Sequence, residues 1–418
     1  MPQQSDIFLG RRPIIAADRR LVAWDLAFGN GSGVSLTGSP ALEDETVAAL
    51  TRVTSTADWE SLLCGARALI GVDRPMLFSD AMEKLPRNRI WLGLGPCDEI
   101  DPKLSQRLHA LHRHRGTRLI FLDYGRRDPR EQLLELADAV EIDARSRPAE
   151  TWEPLARRAR RRQLDVMVRG VDHDADFVAF REAGFDLMEG QCCAEASASG
   201  ETAANADGKI LLELLLESNG DLEISSVAER IGSNAQLTHG LLRLVNSLEL
   251  ARAQKIESIS QALMMIGAQG LRRWLNLLLF QIGTVGGHRG PLFRIAASRA
   301  RLMELLTRDR IGEEPDAKDT GEQAFLVGIL SLVHVLLGTG RSAAIEGLSL
   351  RHELQDALTE YAGWLGGLLR LVECLDSGRF PEAAATAEEL ELDPVRVLDH
   401  QYQAYQWVLR MITVEVAR

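Results

Sequence analysis

Two hydrophobic rhythms divide the chain. In the first 195 residues, short apolar runs rich in branched side chains recur: "RRPIIA", "LVAWDLAF", "PMLFSD", "RIWLGLG", "RLIFLDYG", "AVEID", "DVMVRGV" and "DLMEGQCC". Most are separated by stretches with helical spacing, such as "PKLSQRLHALHRHRG" and "EPLARRARRRQL". Strand and helix in alternation build a parallel sheet, and eight strands predict a closed barrel. The first two runs flank the turn-like "ADRR", which predicts a hairpin rather than a strand–helix unit.

Between Ala194 and Gly208 the sequence "AEASASGETAANADG" has no large apolar residue and reads as a linker. Beyond it apolar residues return at three and four, as in "KILLELLLES", "SSVAERI", "AQLTHGLLRLVNSLEL", "SISQALMMIGAQGLRRWLNLLLF" and "RHELQDALTEYAGWLGGLLRLVECL", which predicts an amphipathic bundle. Ser225 or Ser226 is placed to start one helix, and Gly220 and Gly312 to end others. The expected organisation is a barrel over 1–195, a linker over 196–208 and an all-α domain over 209–418. "GILSLVHVLLG", Gly328 to Gly338, has the length of three helical turns with Ser331 and His334 inside it. It poses the question of whether His334 is a metal ligand.

Composition narrows the classes. A chain of 418 residues exceeds what one core usually serves. A net charge of -12 argues against general nucleic-acid affinity, because phosphate binding needs a concentrated positive face. Cys64, Cys97, Cys192, Cys193 and Cys374 are too few and too irregular for a disulfide framework, which favours a reducing compartment. The N-terminus "MPQQSDIFLGRRPII" lacks a basic segment followed by an apolar one, and no run approaches the roughly 18 apolar residues of a membrane span. A cytoplasmic location is expected.

Three segments carry a resemblance in the first half: "RRPIIAADRRLVAWDLAFG", "GTRLIFLDYG" and "VMVRGVDHDADFVAFREAGFDLMEGQCC". They resemble the EAL domain, the family of magnesium-dependent phosphodiesterases that open cyclic di-GMP on a modified (β/α)8 barrel. In the second half, "LLRLVNS", "SISQALMMIGAQGLRRWLNLLL", "AFLVGILSLVHVLLG" and "YQAYQWVLRM" resemble the HDOD domain, a helical relative of the metal-binding HD hydrolases. The order matches bacterial EAL-HDOD signalling proteins. The resemblance implies an α/β barrel followed by an all-helical bundle.

EAL chemistry needs several carboxylates and an asparagine at the carboxyl ends of strands, where two hard cations activate a water. Here the glutamate of the E-A-L signature falls on Asp25, and the phosphate-holding arginine four residues on falls on Gly29. The asparagine falls at or beside Phe78 and the next glutamate on or near Gly93. Of the paired aspartates, Leu122 replaces one and Asp123 keeps the other; the water-orienting lysine becomes Glu141. Arg169, followed by Gly170, Val171 and Asp172, puts a cation where an acidic ligand would sit, and Glu189 stands for the late glutamine. Asp25 and Asp123 are the two plausible ligands left, and the loss at Gly29 removes a contact that tight cyclic di-GMP binding would use. The adjacent His and Asp of HD hydrolases fall on Ser331 and Leu332. One imidazole does not make a metal site, so His334 reads as a core residue sharing a small-residue face with Gly328 and Ser331.

Other features read as structural. His109, His112 and His114 sit at a helix end with Arg113 and Arg115 flanking His114, and Arg157, Arg158, Arg160, Arg161 and Arg162 form a solvated face. Cys192 and Cys193 read as small buried residues of the last strand. "SISQALMMIGAQGLRRWL" could pass for helix-turn-helix, but its second helix is apolar and Arg272 and Arg273 are its clear cations.

No metal and no cofactor are expected. The function implied is a non-enzymatic signalling adaptor in a cyclic di-GMP or motility network, meeting other bacterial regulatory proteins through the HDOD domain near Asn246, Ser247, Arg272 and Arg273. No nucleic acid or membrane partner is expected; EAL-like barrels often dimerise, and a homodimer is implied by that analogy alone. The alternative is an inactive cyclic dinucleotide receptor with Arg11, Arg12 and Arg169 as phosphate contacts, and the last is a residual phosphodiesterase.

Overall fold

The structure, a computed structural model, describes residues 7–29, 59–86, 88–97, 100–113, 117–144, 147–194, 231–232, 238, 241, 259–282, 290–312, 317–346, 348 and 350–413. Two compact units divide the chain: Met1–Cys193 with Glu373–Asp399, and Ala194–Val372 with His400–Arg418. The segment Glu373–Asp399, which the sequence reading places in the helical half, thus groups with the barrel.

The first unit closes β1 (Phe8–Ala16), β2 (Leu21–Gly29), β3 (Arg67–Val72), β4 (Ile90–Leu94), β5 (Arg118–Phe121), β6 (Ala139–Ile142), β7 (Asp165–Arg169) and β8 (Leu187–Glu189) into a barrel in sequence order. β1 is antiparallel to both neighbours, with Arg12 opposite Asp25 on β2 and Ile14 opposite Glu189 on β8; all other pairs are parallel. The predicted hairpin is the reason for that departure from an all-parallel barrel. Helices α1 (Trp59–Leu63), α2 (Arg74–Leu77), α3 (Ala81–Lys84), α4 (Pro102–Arg113), α5 (Ala149–Arg161) and α6 (Asp174–Glu182) join the strands.

"PMLFSD" is not the third strand, which is the preceding "RALIGV". Asp73 accepts a hydrogen bond from Met76 N at 2.9 Å and Pro75 opens the turn, so α2 begins where a strand was expected. Likewise Cys192 and Cys193 do not end a strand: they lie in a 3-10 turn after β8.

Ile14, Ala23, Leu69, Trp91, Ile120, Ala139, Met167 and Leu187, one from each strand, form a buried layer across the barrel interior. Strand side chains alternate, so the next inward positions toward the carboxyl ends of the parallel strands are Arg12, Asp25, Gly71, Gly93, Leu122, Glu141, Arg169 and Glu189. The apolar layer closes the interior beneath this second, charged layer.

The second unit contains α7 (Ile259–Ile282), α8 (Pro291–Ile311), α9 (Ala317–Leu330), α10 (Val333–Leu337), α11 (Arg341–Glu346) and α12 (His352–Glu360). α13 (Gly363–Ser377) and α15 (Pro394–Thr413) contain residues of both units, and α14 (Phe380–Glu389) belongs to the first. Gly267, at φ 65°, breaks α7 into two helical pieces, and Leu271, Trp274, Leu275 and Leu278 bury the second. Gly328 lets α9 approach α8 closely: a Cβ there would lie 2.6 Å from Ala300 Cα.

The three-turn helix expected over "GILSLVHVLLG" is interrupted. α9 ends at Leu330 and α10 starts at Val333. Buried Ser331 donates its hydroxyl to Gly328 O at 2.7 Å and accepts from Arg299 Nη1 at 2.8 Å. Its side chain competes for backbone partners at this point, so Gly328, Ser331 and His334 do not share one continuous helical face.

Candidate functional site

The charged layer gathers Asp25, Glu141 and Glu189 around two guanidinium groups. Arg12 lies 3.3 Å from Asp25 and 2.6 Å from Glu189. Arg169 lies 3.2 Å from Glu141 and 3.8 Å from both Asp25 and Glu189. The backbone N–H of Gly170 donates to Glu189 Oε2 at 2.9 Å, which fixes the carboxylate at the end of β8. All three acidic side chains are buried, whereas Arg169 is 35% exposed at the open end.

Local charge follows from this packing. Burial pushes the Glu141 carboxyl up to about 7; Arg169 opposes the rise, and Glu189 and Asp25 add to it. Burial also raises Glu189 against the pull of Arg12. For Arg169, desolvation works against the charge, but Asp25, Glu141 and Glu189 outweigh it and raise its pKa. The same balance, with Glu189 and Asp25 as partners, raises Arg12. Two fixed cations therefore sit among three carboxylates, one of which titrates near neutrality.

The remaining inward positions supply no side-chain oxygen. A Cβ on Gly93 would lie 2.8 Å from Leu122 Cδ1, so the leucine fills the space a longer residue on β4 would need. The inward residue on β3 is Gly71. Phe78, aligned with the asparagine on the expectation of a strand there, instead follows α2 and is 48% exposed. Asp123 stands just beyond β5 at φ 47° and pairs with Arg147 at 2.6 Å; its charge also acts on Glu141 and Arg169. Among the described residues, no group of three or more His, Cys, Asp or Glu side chains is arranged to hold a metal ion. Two divalent cations do not fit a layer whose acidic oxygens already face two guanidinium groups.

Arg11 is not in the site. Its neighbour Arg12 faces inward, so alternation turns Arg11 outward, where it is buried, donates to Leu62 O at 2.8 Å and stacks 4.1 Å over Trp24. It is unavailable to phosphate. Gly29 ends β2 under the ring of Phe380.

In the helical unit, Leu332 is buried beside Ser331, and His334 lies half-buried in α10. Arg273 is committed within the unit: it reaches Glu304 at 2.6 Å and Glu322 at 3.2 Å, and lies 3.9 Å over the Phe325 ring. Fully buried Glu304 also receives Arg301 and Arg308, each at 2.7 Å. Burial opposes its ionisation, but the hydrogen bonds and charges of Arg273 and Arg301 prevail and lower its pKa. Arg272 lies in the helical backbone of α7, and Asn246 and Ser247 lie outside the described residues.

The minor candidates are also placed. His109 contacts Ser105 O at 2.8 Å, His112 is exposed and His114 lies outside the described residues. Arg158 pairs with Glu131 and Arg160 donates to Ala183 O, while Arg157, Arg161 and Arg162 are exposed. Burial pushes the Cys192 thiol up, and that of Cys193 to about 12. The sequence reading has Arg12 as a phosphate contact and missed its pairing with Asp25 and Glu189, as it missed the roles of Arg147 and Phe380. Arg12 was legible in the phase of "FLGRRPIIA", which puts it on the same face as Ile14; Arg147 and Phe380 lie 24 and more residues from their partners and leave no local signal.

Residues 210–337 match the HDOD domain family. Over 414 residues the chain is 24% identical to the protein YuxH of Bacillus subtilis (strain 168), covering 96% of this chain and 98% of that protein. It is also 24% identical over 409 residues to the cyclic di-GMP phosphodiesterase CdgJ of Vibrio cholerae serotype O1, covering 96% and 92%. Solved structures similar to it include the EAL enzyme Bd1971 bound to cAMP and cyclic di-GMP, with 16% identity and a TM-score of 0.37 over 46% of this chain. That match spans 62% of the Bd1971 chain, less than two thirds of it. The EAL domain of Mycobacterium smegmatis DcpA gives 17% identity and a TM-score of 0.33, covering 44% of this chain and 90% of that one.

Proposed function

We propose that this protein, an EAL-like barrel followed by an HDOD domain, is a non-enzymatic signalling adaptor that acts through protein–protein contacts of the HDOD domain. The observation that carries the reading is the placement of Arg12 and Arg169 among Asp25, Glu141 and Glu189. Metal-assisted phosphodiester hydrolysis needs carboxylate oxygens free to bind hard cations and activate water. In this layer the guanidinium groups take those oxygens, and Gly71, Gly93 and Leu122 offer none.

A cyclic di-GMP network is the context favoured by the nearly full-length similarity to CdgJ, a protein named for cyclic di-GMP hydrolysis. The receptor alternative has less support, because Arg12 and Arg169 are engaged with acidic side chains and Arg11 is turned away.

The reading is tested by incubating the full-length protein with cyclic di-GMP in magnesium or manganese and following the linear product by chromatography. No product is expected. Turnover that disappears in Asp123→Asn would establish the residual phosphodiesterase instead. For the adaptor role, regulators that co-purify with the full chain are identified by mass spectrometry and their footprints mapped by hydrogen exchange. A footprint within 210–337 is expected; one confined to the barrel would overturn the HDOD assignment.

A further inference from the structure

On its β1–β2 side, the open end of the barrel is covered by the chain itself. Alternation along β1 puts Phe8, Gly10, Arg12 and Ile14 on the inward face, and along β2 it puts Ala23, Asp25, Ala27 and Gly29 there. Gly10 and Gly29 therefore lie on the same face as Arg12 and Asp25, farther toward the open end. Phe380, the first residue of α14, lays its ring over these glycines and is only 4% exposed.

The fit depends on the absence of side chains at both positions. A Cβ on Gly29 would stand 2.0 Å from Phe380 Cδ2, and one on Gly10 would stand 3.1 Å from both Phe380 Cζ and Leu375 O. Gly378, at φ 71°, turns the chain between α13 and α14, a conformation that favours glycine. From the other side of β1, just past β8, Gln191 Nε2 donates to Asp376 O at 2.7 Å. An aromatic ring on two glycines and a directed hydrogen bond to a main-chain carbonyl together make a site with shape and polarity.

We propose that the β1–β2 side of the barrel mouth is a peptide-binding site, and that its resident ligand is this chain's own α13–α14 corner, residues 375–380. Phe380 takes the space into which any side chain at position 29 would extend, so the ligand class here is an aromatic side chain at a helix start. The inference deepens the non-catalytic reading. Its test measures no turnover, so either can fail without the other.

The experiment is hydrogen exchange with mass spectrometry on the full chain, comparing wild type with Gly29→Arg, Phe380→Ala and Phe380→Leu. In the first two variants, exchange over 378–392 is expected to rise about tenfold or more while β4 to β7 keep wild-type protection. Phe380→Leu, which refills much of the seat, should restore most of the protection. Unchanged exchange over 378–392 would show that the ring is not held by this seat. A rise throughout the barrel would show that the corner is an integral part of the barrel core rather than a bound ligand. Either result overturns the proposal.

Discussion

Arg169 Nη2 lies 3.2 Å from Glu141 Oε2, inside a barrel layer whose other acidic members are Asp25 and Glu189. A guanidinium thus compensates carboxylates that share one low-dielectric space. Arg169→Met should leave Arg12 alone against three acids and destabilise the barrel, at the low end of about 3–5 kcal/mol because Arg169 is partly exposed. Urea denaturation would measure the loss. Millimolar magnesium, against sodium chloride of equal ionic strength, should recover part of it in the variant and change little in the wild type.

Glu141 makes stability depend on pH in a direction opposite to an ordinary salt-bridged acid. Its carboxyl is pushed up to about 7 in the folded protein, above its value in an unfolded chain, so the folded state holds the extra proton between those two values. Stability from this group is therefore greatest at acidic pH and falls as pH rises toward and through 7. Glu141→Gln removes the titration. The variant should be more stable than wild type at pH 8 by about 1–3 kcal/mol, with the difference shrinking at pH 5. Tryptophan fluorescence during denaturation at the two pH values would test this, and equal shifts at both would contradict it.

Glu304 behaves in the usual sense. Its lowered pKa means that its contribution is present above the unfolded value and lost as pH falls through the folded one. Glu304→Ala should cost about 3–5 kcal/mol, since Arg273, Arg301 and Arg308 lose a shared, fully buried partner. Thermal unfolding of the full chain should show the transition of the helical unit moving down with the barrel transition in place.

At the crossing of α8 and α9, Gly328 faces Ala300 backbone. Gly328→Ala sets a new methyl 2.6 Å from Ala300 Cα and 2.9 Å from its nitrogen, where no flexible side chain can yield. The expected cost is about 1–3 kcal/mol, despite the better helix propensity of alanine. Denaturation of wild type and variant would decide between these opposing effects.

How much of this was legible in the sequence depends on the range of each interaction. The turn-like "ADRR" is local, so it determined the hairpin, and alternation in "RRPIIA" and "LVAWDLAF" carries the phase that puts Arg12 and Asp25 on one face. The repeated strand and helix signals likewise determined the barrel and the helical region after it. The third strand was misread because "PMLFSD" is as apolar as a strand, and the cap at Asp73 with Pro75 decided for helix. The break at Ser331 was missed for a related reason: it is set by Gly328 O and by Arg299 from another helix. Only the closed barrel could decide that Asp25, Glu141 and Glu189, scattered over 165 positions, would meet around Arg12 and Arg169. Only packing could seat Phe380 on Gly29. Periodicity records which way a side chain faces, whereas the partner it meets is fixed by chain closure over long separations.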